Sequence, residues 1–140
     1  MTEQTTVPAL VRLIGLTMTA EQVDTNPNMI DGGDRMDHWR CKMRHGSGDQ
    51  RRTLTVYFSM GMGHNGKAPD VASVLDCLAS DSAGVENARD FDEWCGEYGY
   101  DTDSRKAERT YRQCSTQAAK LRKFLGEDMY QTILWNCERL

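Results

Sequence analysis

The sequence predicts an α+β fold: a small antiparallel sheet of two or three strands in the N-terminal half, packed against three or four helices in the C-terminal half. Three observations lead there. From Ser104 to Leu125 the apolar residues Ala107, Tyr111, Cys114, Ala118, Leu121 and Leu125 fall at steps of four and three, one stripe of a long helix. Met36 to Arg44 and Arg52 to Met60 alternate apolar and polar residues around the turn Gly46-Ser47-Gly48-Asp49-Gln50, the pattern of a β-hairpin with one buried and one wet face. After the hairpin the chain carries helical periodicity to its end.

Each element follows in order. Residues 1–8 read as a loose terminus. Residues 9–60 form the sheet region. From Ala9 to Val23 the pattern is ambiguous, but Leu16, Met18 and Ala20 alternate with Thr17 and Thr19, which favours a strand in the second half. Asp24 to Asp34, with Asn26, Pro27, Asn28, Gly32 and Gly33, reads as a loop. In the hairpin, Trp39, Cys41 and Met43 point one way; His38, Arg40, Lys42 and Arg44 point the other. Leu54, Val56, Phe58 and Met60 likewise oppose Thr53, Thr55, Tyr57 and Ser59. The wet face is therefore basic, with one aromatic, Tyr57.

Residues 61–68 are a glycine-rich loop, and residues 69–140 form the helical region. Pro69 suits a first helical turn, and Val71, Val74, Leu75 and Leu78 make an apolar stripe. That helix is expected to end near Ser82 to Gly84. Asp90 caps the next helix, with Glu93 as its capping-box partner. Phe91, Trp94, Cys95 and Tyr98 form its buried face, and Gly99 ends it. The long helix has N-cap candidates in Asp101, Thr102, Asp103 and Ser104, and Gly126 to close it in a left-handed conformation. Its other face carries Arg105, Arg109, Arg112, Lys120 and Lys123. Glu127 to Cys137 makes a last short helix, with Tyr130, Ile133, Leu134 and Cys137 on one side.

A chain of 140 residues is expected to form one domain, residues 1–140, with a modest core, since 39% of residues are apolar. No apolar run is long enough to span a membrane. Pro8 to Leu16 has Glu3 before it, Arg12 inside it and no clear cleavage site, so no signal peptide is expected. Five cysteines without a Cys-x-x-Cys pair fit reduced thiols in a cytoplasmic protein.

The net charge of −4 hides a segregation. Residues 1–34 sum to −4, 35–67 to +5, 68–103 to −9, 104–126 to +6 and 127–140 to −2. The plain explanation is pairing between segments. The functional one is separate acidic and basic surfaces for partners.

The residues raise five candidate chemistries. Gly61 to Ala68 spells both Gly-x-x-x-x-Gly-Lys and Gly-x-Gly-x-x-Gly, after a strand and before a helix. Nucleotide binding is nonetheless disfavoured. The preceding strand alternates, Ala68 replaces the hydroxyl that would hold Mg²⁺, and no later strand ends in Asp. The loop is a tight turn or a partner-contact loop with His64, Asn65 and Lys67 at its tip. A zinc site is disfavoured because His38 and Cys41 face opposite sides of a strand, and most cysteines sit on apolar helix stripes. Cysteine catalysis lacks a nearby base, and the carboxylates from Asp90 to Asp103 read as a solvated face. Nucleic-acid binding has two basic surfaces to use, Arg40, Lys42, Arg44 and Tyr57 on the sheet and Arg105, Arg109, Arg112, Lys120 and Lys123 on the helix. The overall negative charge and the lack of an aromatic pair on the sheet oppose it.

One resemblance adds a setting. The stretches Tyr57-Phe58-Ser59-Met60-Gly61-Met62-Gly63-His64-Asn65-Gly66, Val74-Leu75-Asp76-Cys77-Leu78-Ala79-Ser80-Asp81 and Gly99-Tyr100-Asp101-Thr102-Asp103-Ser104-Arg105-Lys106-Ala107 resemble a group of small proteins carried by phages and mobile elements, over about the last hundred residues. Most of that group have no assigned activity. Some small proteins of this setting inhibit host defence, including CRISPR complexes. The resemblance implies no catalytic residues and no cofactor.

The expectation is thus a non-catalytic phage or mobile-element protein, in the cytoplasm of a bacterial host, that binds and inhibits a host-defence protein or nucleoprotein complex (anti-CRISPR-like). The candidate partner-binding residues are Arg40, Lys42, Arg44, Tyr57, His64, Asn65, Lys67, Arg105, Arg109 and Arg112. No metal, cofactor or membrane partner is expected. The alternative is a small nucleic-acid-binding module using the basic sheet and helix faces.

Overall fold

A computed structural model describes residues 7–28, 36–61 and 67–136. The fold is α+β, with a three-stranded antiparallel sheet in the N-terminal half and four helices after it. Two compact units divide the chain, one over Val7–Leu75 and one from Asp76 onward.

The first unit opens with helix α1, Val7–Ile14, which buries Val7 and Leu10. The terminus expected to be loose through residue 8 is therefore helical from Val7, and residues 1–6 lie outside the described residues. Pro8 is tolerated because N–H groups in a first turn have no intrahelical acceptor. Strand β1, Thr17–Val23, settles the ambiguous stretch as helix first and strand second. Strands β2, Met36–His45, and β3, Arg52–Gly61, complete the sheet in the order β1-β2-β3.

The register aligns like with like. Met43 lies opposite Leu54 and Met18, and Cys41 opposite Val56 and Ala20. Trp39, Cys41, Met43, Leu54 and Val56 are buried as the alternation requires. The turn between β2 and β3 contains a 3₁₀ turn, Gly48–Gln50, and depends on Gly46. Gly46 has φ +83°, and a Cβ there would run into the backbone carbonyl of Gln50. Residues 29–35 and 62–66 lie outside the described residues, so most of the glycine-rich loop and the second part of the Asp24–Asp34 loop do too.

Helix α2, Val71–Asn87, begins in the first unit and runs on into the second. Asp70 accepts a hydrogen bond from Ser73 N at 2.8 Å, capping its start. It does not end at Ser82–Gly84. Ser82 and Gly84 look like turn residues, but Ser82 donates its hydroxyl back to Leu78 O at 2.8 Å, and both residues are buried within the helix. At Gly84 the Tyr98 hydroxyl packs where a Cβ would sit.

Helices α3, Phe91–Tyr98, α4, Arg105–Leu125, and α5, Glu127–Asn136, complete the second unit. Asp90 caps α3 by accepting from Glu93 N at 3.0 Å, and Gly99 closes it in the left-handed region. The returning Glu93 carboxylate accepts from Arg89 N rather than from Asp90 N. Ser104 is the N-cap of α4, accepting from Ala107 N at 3.1 Å. Gly126 has positive φ but ψ of 157°, so the left-handed helical closure expected there is not formed. The α4 stripe holds: Ala107, Ala118, Leu121 and Leu125 are buried, Tyr111 and Cys114 half-buried, and Phe124 joins them. Tyr130 of α5 donates its hydroxyl to Glu86 at 3.1 Å, and Arg122 stacks over the Tyr130 ring at 4.7 Å while pairing with Glu86 and Glu127. That cluster ties α2, α4 and α5 together. Cys137 lies outside the described residues.

Candidate functional site

Trp94 is the hub of the second unit. It sits one turn into α3, nearly fully buried, in a core with Cys95 and Ala107. Four aromatic rings surround it. Tyr100 stacks on it at 5.2 Å and 6°, Tyr98 tilts against it at 5.5 Å, Tyr111 meets it edge-on at 5.2 Å, and Phe91 lies at 6.3 Å. Spacing explains the set. Phe91, Trp94 and Tyr98 share one side of α3, and Gly99 turns the chain so that Tyr100 folds back over Trp94.

A cleft of about 370 Å³ opens beside this cluster, lined by Ser80, Asp81, Trp94, Tyr98, Tyr100, Thr110 and Cys114. Three of its walls are aromatic and one is acidic. Tyr98, expected in the buried face of α3, is 45% exposed because its ring forms part of the cleft wall. The Asp81 residue is open to solvent on one side, yet burial of its carboxyl group raises its pKa above the usual carboxylate range. Asp81 forms no ion pair among the described residues. The thiols beside it feel the same environment. Burial and the charge of Asp81 push Cys77 up to about 11 and Cys114 up to about 12. At neutral pH both are therefore thiols rather than thiolates. A second cleft, of about 350 Å³, is lined by Glu86, Asn87, Gln131, Leu134 and Trp135, whose indole is 88% exposed.

The acidic segment is only partly neutralised. Arg89 pairs with Glu93, and Arg122 with Glu86. Asp76, Asp81, Asp92, Glu97 and Asp103 are exposed and form no ion pair among the described residues. Arg112, expected either to meet the acidic segment or to touch a partner, pairs instead with Glu108 of its own helix at 2.8 Å. Arg105 and Arg109 are exposed beside it.

On the sheet, the register places Arg40 opposite both Tyr57 and Glu21, with Lys42 and Arg44 on the same face. The Arg40 guanidinium donates to Glu21 at 2.8 Å, and this carboxylate, with Tyr57 adding to it, holds Arg40 charged. Thus one of the three basic side chains of that face is already paired. His38, expected on the wet face, is buried: Asn26 donates to Ser59 Oγ at 2.9 Å, and His38 Nδ1 lies 2.7 Å from the same oxygen, enclosing the ring. Lys67 is exposed, and His64 and Asn65 lie outside the described residues.

The cleft was missed in the sequence because its walls come from α2, α3, the turn after it and α4. The available signal was the run of aromatics at 91, 94, 98 and 100 inside the acidic segment. Among the described residues no group of three His, Cys, Asp or Glu side chains is placed to hold a metal ion, and no helix is long and apolar enough to cross a membrane. Compared with family models, curated proteins and solved structures, the chain matches none.

Proposed function

We propose that this is a non-catalytic binding protein that occupies a basic surface on a protein partner. The resemblance to phage and mobile-element proteins makes that partner a host-defence nuclease or nucleoprotein complex in the bacterial cytoplasm. The supporting observation is the set of exposed carboxylates at Asp76, Asp81, Asp92, Glu97 and Asp103, without ion pairs among the described residues, in a segment of net charge −9. Defence nucleases hold nucleic acid in positively charged channels. A surface of unpaired carboxylates complements such a channel and speeds encounter with it. The test is a plasmid-interference assay in bacteria with an active nuclease-based defence, run across a panel of defence types. Survival of the targeted plasmid when this protein is expressed supports the proposal. Loss of the plasmid in every host at confirmed expression contradicts it.

The alternative, a nucleic-acid module, draws on Lys42 and Arg44, which share the sheet face with Tyr57. A gel-shift series at two salt concentrations separates the two. Binding at low salt that weakens steeply with added salt favours the module.

A further inference from the structure

The cleft at Trp94 has three properties that belong together. Its walls are the electron-rich rings of Trp94, Tyr98 and Tyr100. Its acidic member, Asp81, has no ion-pair partner among the described residues. Its volume of about 370 Å³ lies at the small end of ligand sites. Aromatic faces attract cations; the accessible rings here are those of Tyr98 and Tyr100, because Trp94 is nearly fully buried and stacked against Tyr100. A desolvated carboxylate without a partner is an unfavourable arrangement that a bound cation would relieve.

Two further groups of the lining are neutral and give a ligand no opposite charge. The Thr110 hydroxyl is committed to Lys106 O at 2.8 Å. Cys114 remains a neutral thiol. No basic side chain lines the cleft, so an anion has nothing to bind. A neutral apolar ligand would leave the Asp81 carboxylate further desolvated.

We infer that this cleft receives one organic cation, the guanidinium or ammonium end of an arginine or lysine side chain on the protein partner. The inference rests on the proposed role of the acidic segment and sharpens it. The exposed carboxylates attract a basic surface in general, and the aromatic cleft anchors one of its side chains. A buried anchor side chain in a pocket is where binding energy concentrates at interfaces. Both cations are attracted to ring faces, but only the planar guanidinium of arginine also stacks flat on them, so the two are separable by experiment.

The test uses the full chain and small probes. Nitrogen-15 spectra report the Trp94 indole N–H, assigned with Trp39→Phe and Trp135→Phe variants. The protein is titrated with N-acetylarginine amide, N-acetyl-lysine amide and N-acetylcitrulline amide, the last being the neutral counterpart of arginine. The expected result is a saturable shift at Trp94 with a cationic probe, weaker by about threefold to thirtyfold with citrulline. Asp81→Asn and Tyr98→Leu, both at exposed positions, should each weaken the cationic probe at least about threefold while the remaining spectrum keeps its dispersion. A larger response to arginine than to lysine assigns arginine as the anchor, and the reverse assigns lysine. Equal binding of citrulline and arginine, or unchanged binding in both variants, overturns the inference. So does the absence of any shift at Trp94. Plasmid protection that persists alongside such a negative result overturns the cation site alone and leaves the surface-occupying role standing.

Discussion

Gly84 of α2 lies directly under the Tyr98 hydroxyl of α3. A Cβ at position 84 would overlap that oxygen and crowd the ring carbon behind it. The glycine is therefore a contact surface for a tyrosine rather than a helix stop. Gly84→Ala gains about 1 kcal/mol of helix propensity, and the ring must shift to admit the methyl group. We expect a melting temperature within a few degrees of wild type and a changed near-ultraviolet circular dichroism signal from the Tyr98–Trp94 pair. An unchanged signal together with an unchanged melt would show that Tyr98 does not rest on Gly84.

Leu121 is fully buried on the α4 stripe. Leu121→Ala should cost about 2–5 kcal/mol, through lost burial and the cavity left behind. Denaturant unfolding measures it. A loss below about 1 kcal/mol would mean that this face of α4 is not packed.

The four described cysteines differ in access. Cys77 is exposed, Cys114 is half-buried, and Cys41 and Cys95 are buried. A thiol reagent at neutral pH should therefore modify Cys77 first, and slowly, since its thiol is pushed up to about 11. Thiolate is the reactive form, so the rate should climb about tenfold per pH unit toward that value. A rate that levels off near pH 8.5 would contradict the desolvated setting beside Asp81.

Two aspartates shift in opposite directions. The Asp70 carboxylate accepts from Ser73 N and titrates below its ordinary value. Its stabilising effect is present above the unfolded pKa and is lost as pH falls through the lower folded one. Asp70→Ala should cost about 1 kcal/mol at pH 7, and progressively less as pH falls through the lowered folded pKa of Asp70, where the wild-type cap is itself protonated. Asp81 is the reverse. Its folded pKa is raised by burial, so the stability it contributes is present below its unfolded pKa and declines as pH rises through the folded one. Asp81→Asn should be neutral or stabilising at pH 7. Denaturant titrations at pH 3, 5 and 7 check both signs.

Much of the fold was legible because its elements obey their own periods. The stripe from Ala107 to Leu125 and the alternation from Trp39 to Met43 each state a face without reference to the rest of the chain. Caps at Asp90 and Ser104 are legible for the same reason, since the acceptor and its N–H lie three residues apart. What the sequence hides depends on distant partners. Ser82 and Gly84 carry turn chemistry but sit mid-helix, because Tyr98 fills the space above the glycine. His38 follows the polar alternation yet is enclosed by Asn26 and Ser59. Arg112 has a choice of acids, and only the structure shows that it takes Glu108. The cleft is hidden most deeply, because Asp81 and Cys114 meet the aromatic run only after α2, α3 and α4 assemble.

The basic faces give a further expectation. Arg105→Ala, Arg109→Ala and Arg112→Ala combined remove a single exposed ion pair among the described residues, Arg112–Glu108. Exposed pairs contribute about 0–1 kcal/mol. A thermal melt should therefore shift by only a few degrees, and a large loss would reveal a structural role for this face.

On the proposed function, the acidic helical unit rather than the basic sheet face should meet the partner. Plasmid protection measured side by side for two charge variants tests it most directly. One variant combines Asp92→Asn, Glu97→Gln and Asp103→Asn, and the other combines Arg40→Gln, Lys42→Gln and Arg44→Gln. Each is first checked for a wild-type melt. The first variant should lose protection and the second should keep it. Retained protection in the first variant, with loss in the second, would contradict it.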